Sequence, residues 1–346
     1  MPPMVTHSWD SAITVARRLA GKYPLEGTYH EARLARQVPL LVERATGLVS
    51  AETGLEAPGS PDVAVVSRTE WVENNIASFS QLMAPLQDRL GEQRAIGRGV
   101  AGRIMATELG AVLGFLSRRV LGQYELVLPT SDGSDGDTVM FVGANLLSME
   151  RKFEFRPAEF RFWVALHEST HRLQFQGVSW LRSYFLGLVQ ELVETSKPEP
   201  GRMARLAEEM REAAAEGRPL VNEQGLFGLL ATPDQREVIS KVQALMSLLE
   251  GHGHVVMDRI GERELVSQAR MSRTLAARRN DPRTAMFMRL VGLEMKMRQY
   301  ELGAKFIEGV ERQAGWSALD AVWLRPSNLP TLEEIEDPVS WLYRVG

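Results

Sequence analysis

Residues 163–171 read Trp163-Val164-Ala165-Leu166-His167-Glu168-Ser169-Thr170-His171, and within them lies the pattern HExxH. A helix turns about 100° per residue, so histidines four apart lie about 40° from each other on one face, one turn apart. Both imidazoles can then reach one metal ion. The glutamate that follows the first histidine is placed to take a proton from a water held by that metal. The reading therefore assigns His167 and His171 as metal ligands and Glu168 as a catalytic base.

The flanks fit a helix. Pro157 suits a first turn, where its missing N–H costs nothing, and Gly177 is a natural stop. Phe160, Trp163, Val164 and Leu166 supply apolar surface between them. The chain has six histidines: His7, His30, His167, His171, His252 and His254. Two tight pairs among so few favour a metal site over ordinary histidines hydrogen-bonded on a half-buried face.

Composition narrows the chemistry further. The chain has no cysteine, which excludes disulfides and thiolate zinc sites. Any metal must use His, Asp or Glu, and that favours a catalytic zinc site over a structural one. At 346 residues and 44% hydrophobic, the chain can bury a sizeable core as one large domain or two lobes. A net charge of −4 gives no argument for nucleic acid or an anionic membrane as partner. No run approaches a membrane span, and MPPMVTHSWDSAITVARR lacks the apolar core of a signal peptide. The expected location is cytoplasmic.

Outward from the motif, helical periodicity dominates. The first hundred residues read as a helical N-terminal region. Its helices fall near 9–20 and over 28–46, the latter disturbed by Pro39, with a loop at 47–62. Ser67-Arg68-Thr69-Glu70 forms a capping box that opens a third helix. Residues 100–120 are apolar at helical spacing. Tyr124–Pro129 and Thr138–Gly143 read as two short strands around the polar turn SDGSDGD. Its Asp132, Asp135 and Asp137 read as a solvated turn, since the terminal Glu of a calcium loop is missing. An exposed sheet edge beside a metal site could hold an extended peptide as an added strand. Beyond Gly177 an apolar helix covers 179–195, a charged one 202–216, and Thr232-Pro233-Asp234 opens a long helix to about 260. The tail, with a late Trp341, reads as an extended strap with one short helix. The expected fold is mainly α with a small β-hairpin or sheet (α+β), built on the HExxH helix. Residues 101–346 would form the metal-binding region, packed with the first hundred as one compact unit.

The third ligand is sought on the long helix, where Glu250, His254 and Asp258 are spaced four apart on one face. Glu250 is assigned as the ligand, with His254 acting on the metal shell or on substrate. Two alternatives stand: His254 itself, and Glu191, which follows His171 by 20 residues. The glycines at 251 and 253 weaken a helix, so a close approach is expected there. Farther on, Tyr300 and Arg298 are candidates for binding substrate and stabilising negative charge on a carbonyl oxygen.

Several segments together resemble a bacterial family of zincin-like metallopeptidases without an assigned role, sometimes linked with deazaflavin-coenzyme biosynthesis. They are Ser8-Trp9-Asp10, Val65-Val66-Ser67-Arg68 with Trp71, Asn74-Asn75, Gly122-Gln123-Tyr124, Trp163 through Glu168, Glu250-Gly251-His252 with Val256-Met257-Asp258, and Lys296 through Glu301. The HExxH and EGH segments are the most specific. The resemblance implies a mostly helical zincin fold, Zn2+ bound by His167, His171 and Glu250, and Glu168 as general base. Two departures from better-known zincins are the 79-residue gap between His171 and Glu250, and His254 where some families carry Asp. No residue here makes a deazaflavin site. The function expected from all of this is a zinc-dependent hydrolase, a peptidase acting on a peptide or protein. The alternative is an inactive zincin fold serving as a metal-containing binding or scaffolding protein.

Overall fold

The computed structural model describes residues 8–91, 107, 109–128, 136–195, 233–279 and 294–346, without the side chains at several helix ends, among them 294–300. The charged helix expected at 202–216 and most of the SDGSDGD turn lie outside them. The chain divides into two units, Met1–Ser179 with Val256–Met271, and Trp180–Val255 with Ser272–Gly346. Among the described residues, no helix is long and apolar enough to cross a membrane.

The first unit is built on a three-stranded sheet in the order β1-β3-β2, with β1 spanning Asp62–Val66, β2 Gly122–Glu125 and β3 Thr138–Val142. Strands β2 and β3 pair antiparallel, as the expected hairpin requires, with Gly122 opposite Phe141 and Glu125 opposite Thr138. Strand β1, parallel to β3, was not expected, since DVAVV is short and sits at the end of a stretch that reads as loop. The first hundred residues are thus not purely helical; they donate an edge strand to the sheet.

One face of the sheet is covered by α1 (Ser8–Ala20), α3 (Arg68–Gly91) and α4 (residues 109–116). Trp9, Ala12, Ala16, Trp71, Val72, Ile76 and Leu113 pack there against Val66, Met140 and Val142. Helix α2 runs from Tyr29 to Thr53, through Pro39 and seven residues beyond the expected end. Its buried positions explain the extension. Leu34, Val38, Val42, Ala45, Val49 and Thr53 continue one apolar face into the supposed loop, until Gly54 at φ 69° closes the helix.

Helix α5 (Gly143–Phe153) follows β3 directly, and α6 (Pro157–Gly177) follows α5. The bounds of α6 are those that Pro157 and Gly177 predict. It packs on α2 and is buried on nearly every side, with Phe160 through Leu166 and Arg172 through Phe175 all inside. Two arginines on this enclosed helix are paired with carboxylates. Arg161 forks onto the Glu150 carboxylate at 2.6 and 2.7 Å. Arg172, with no exposed surface, grips Asp137 at 2.9 Å and donates to the carbonyls of Pro58 and Gly59. Asp137, expected in a solvated turn, is thus a partner for a buried guanidinium.

The second unit is helical: α7 (Leu181–Thr195), most of α8 (Pro233–Glu264) and α10 (Glu294–Ala314), with α9 (Gln268–Arg279) reaching it from Ser272 onward. Pro233 opens α8 as expected. Helix α8 is continuous through Val255 and Val256, so one rod of backbone belongs to both units. Its crossing with α10 is close. A Cβ on Gly303 would stand 1.8 Å from the Ser247 carbonyl oxygen, and one on Gly251 would stand 2.2 Å from Gly303. This is the close approach expected for Gly251. The tail is not an extended strap. It folds into α11 (Asp320–Leu324), α12 (Leu332–Glu336) and α13 (Pro338–Val345), joined by short 3-10 turns. Trp341 is fully buried on Phe306 and donates its indole N–H to the Asn328 carbonyl at 2.8 Å.

Candidate metal centre

The motif histidines stand on α6 as helical geometry dictates. Their rings meet edge to face with centroids 4.5 Å apart, and the two Nε2 atoms are 3.2 Å apart. Two nitrogens held about 2.0–2.1 Å from one tetrahedral ion stand about 3.4 Å apart, so this separation fits a shared metal. Gln174, one turn on, fixes the second ring: its Oε1 lies 2.9 Å from His171 Nδ1. A proton on Nδ1, donated to that oxygen, leaves the Nε2 lone pair for a metal.

His167 and His171 offer two imidazoles from α6 of the first unit, and the carboxylate expected to join them, Glu250, stands on α8 in the second unit. Two imidazoles and a carboxylate are a donor set that suits zinc and leaves a fourth position for water. Glu250 and Glu168 are both buried. The two alternative ligands lie on the same unit as Glu250. Glu191 is exposed on α7, where it acts on Lys241 and Tyr184. His254 is half-buried on α8 one turn past Glu250. His252 is packed between indoles, 6.0 Å from Trp316 and 5.1 Å from Trp323, as a core histidine. Asp258 accepts from Gln268 at 2.8 Å. The side chains of Tyr300 and Arg298 lie outside those described.

Two residues near the motif escape a sequence reading that looks for donors. Gln174 is one; its spacing of three from His171 was the available signal. The other is Gly122 on β2. A Cβ there would stand 2.7 Å from both Cγ and Oε1 of Glu168, so the glutamate lies flat against the strand backbone. Strand β2 is in turn seated on α6 through Tyr124. That ring stacks on Phe175 and its hydroxyl accepts from Gln176 at 2.9 Å. Burial, with the charge of Asp137 adding to it, pushes the Tyr124 phenol well above its usual range and keeps it protonated.

Comparison with known proteins identifies relatives of the whole chain. The chain is 30% identical to a protein from Chloroflexus aurantiacus whose crystal structure is described as that of a "putative hydrolase with a novel fold". The two superpose with a TM-score of 0.71 over 97% of each chain. A search of curated proteins returns no match. The sequence pattern of the zincin-like metallopeptidases matches residues 8–342, nearly the whole length. With the HExxH histidines paired on α6 inside the span of that pattern, the chain belongs to the zincin-like metallopeptidase family.

Proposed function

We propose that the protein is a zinc-dependent peptidase in which His167, His171 and Glu250 hold the metal and Glu168 is the general base. The observation that carries this reading is the pair of imidazoles on α6, their Nε2 atoms 3.2 Å apart as a shared ion requires, with the Glu168 carboxylate on the same helix. When bound, zinc would polarise the scissile carbonyl and lower the pKa of water toward about 7. Glu168 then takes the proton of the attacking water and delivers it to the leaving amine. Gln174 holds the His171 ring in the ligating tautomer.

The edge strand supports a peptide as substrate. Val142 N–H donates to the Leu121 carbonyl, and the register then directs the N–H and C=O of Gly122 away from β3. Those outward groups adjoin Glu168, where an extended chain could add to the sheet and bring its scissile bond to the base.

The test has two stages. Elemental analysis of protein purified without chelator should give about one zinc per chain for wild type and Glu168→Gln, and a marked loss for Glu250→Ala. Peptide-library cleavage should be blocked by chelator, restored by zinc and abolished in Glu168→Gln. Wild-type turnover by Glu168→Gln would sink the mechanism. Zinc retained by Glu250→Ala would move the third ligand elsewhere. No metal after zinc is supplied would remove the hydrolase reading.

A further inference from the structure

We infer that Gly122 is a positioning residue for Glu168, and that its missing side chain is what holds the base in place. This rests on Glu168 acting as the base. The backbone does not demand glycine here, for Gly122 is not at positive φ, and its antiparallel pairing with Phe141 suits any residue. What the position demands is space. A Cβ would meet Cγ, Cδ and Oε1 of Glu168 at 2.7, 2.9 and 2.7 Å, so both the carboxylate and the methylene that carries it would have to shift.

Both backbones are anchored. Strand β2 is tied to the central strand by its ladder and by the bond from Val142 to Leu121 at 2.9 Å. Helix α6 is clamped on both sides of Glu168 by the pairs Arg161–Glu150 and Arg172–Asp137. The Glu168 side chain, itself buried, is the part most readily shifted. The strand therefore acts as a flat wall that selects one orientation of the carboxylate, and any side chain at 122 turns it away.

Gly122→Ala tests this in two ways. In activity, kcat should fall about 10–100-fold with KM little changed and zinc content retained, as expected for a base misplaced by about 1 Å. Gly187→Ala, at a position with open space around its Cβ, is the control and should leave kcat unchanged. In stability, a double-mutant cycle reads the contact without any substrate. Gly122→Ala should lower the melting temperature in wild type but not in Glu168→Ala, where the clashing atoms are gone. Equal losses in both backgrounds would overturn the inference, and so would an unchanged kcat in Gly122→Ala. If no peptide is cleaved by wild type, the hydrolase reading fails, and the thermal cycle still decides whether Gly122 holds Glu168.

Discussion

Replacing Gln174 by leucine should weaken zinc binding without unfolding the protein. Gln174 has no exposed surface, and its Oε1 stands at 2.9 Å from His171 Nδ1, an ordinary hydrogen-bond length. Leucine nearly matches its volume but offers no acceptor, so the proton on Nδ1 loses its partner and the ring loses its preference for the ligating tautomer. Loss of such an outer partner costs about 10–100-fold in metal affinity, or roughly 1.4–2.8 kcal/mol. The opposite change, Gln174→Glu, keeps the acceptor, and its charge should make the imidazole a better donor and tighten binding. The assay is competition for zinc against a chromophoric chelator at fixed pH, with the melting temperature of the metal-free proteins compared first. A leucine variant that folds normally and binds zinc within about twofold of wild type would refute the role of Gln174.

Two further predictions concern the scaffold. Arg161→Met should cost about 3–5 kcal/mol, because it strands the buried Glu150 carboxylate, and Arg161→Met/Glu150→Leu should recover most of that; a loss below about 1 kcal/mol in the single variant, read by urea unfolding, would show the clamp to be dispensable. In the tail, the Arg344 guanidinium bonded to Glu334 holds that carboxyl below its usual range. The stabilisation is therefore fully present above the unfolded glutamate value near about 4.3 and is lost as pH falls through the depressed folded value. Since Arg344 is 38% exposed, the pair is worth at most about 1 kcal/mol. Glu334→Gln should lower the melting temperature at neutral pH by an amount that vanishes in acid. A gap that persists in acid would assign the effect to packing.

How far each element could be read follows from how local its cause is. Helix α6 was legible to its ends because Pro157 and Gly177 act within one turn of themselves. The end of α2 was not: GLVSAET looks like loop, and only burial of Val49 and Thr53 against the rest of the unit keeps it helical. Strand β1 was missed for the same reason, since five residues of DVAVV become a strand through parallel pairing with β3, more than seventy positions away. In the tail, Pro326 and Pro338 suggested an extended path, yet each sits in the first turn of a short helix, where proline is at home. The anchor is Trp341, and its burial is a tertiary fact.

The same distinction runs through the metal centre. Two donors four apart on a helix are a property of the backbone, so their convergence follows once the helix is granted. A third donor from another helix has no such guarantee. Sequence could shortlist Glu250, His254 and Glu191 by chemistry, but spacing along the chain does not rank them. The glycines carried part of that information. Gly251 is required because α10 crosses α8 at backbone distance, and a helix held so closely cannot rotate about its axis. Gly122 does the corresponding work for Glu168, by leaving the room that a side chain would occupy. In both places the informative residue is the one with no functional group: it sets the orientation of a neighbour that has one. A search confined to histidines and carboxylates finds the donors and misses what aims them.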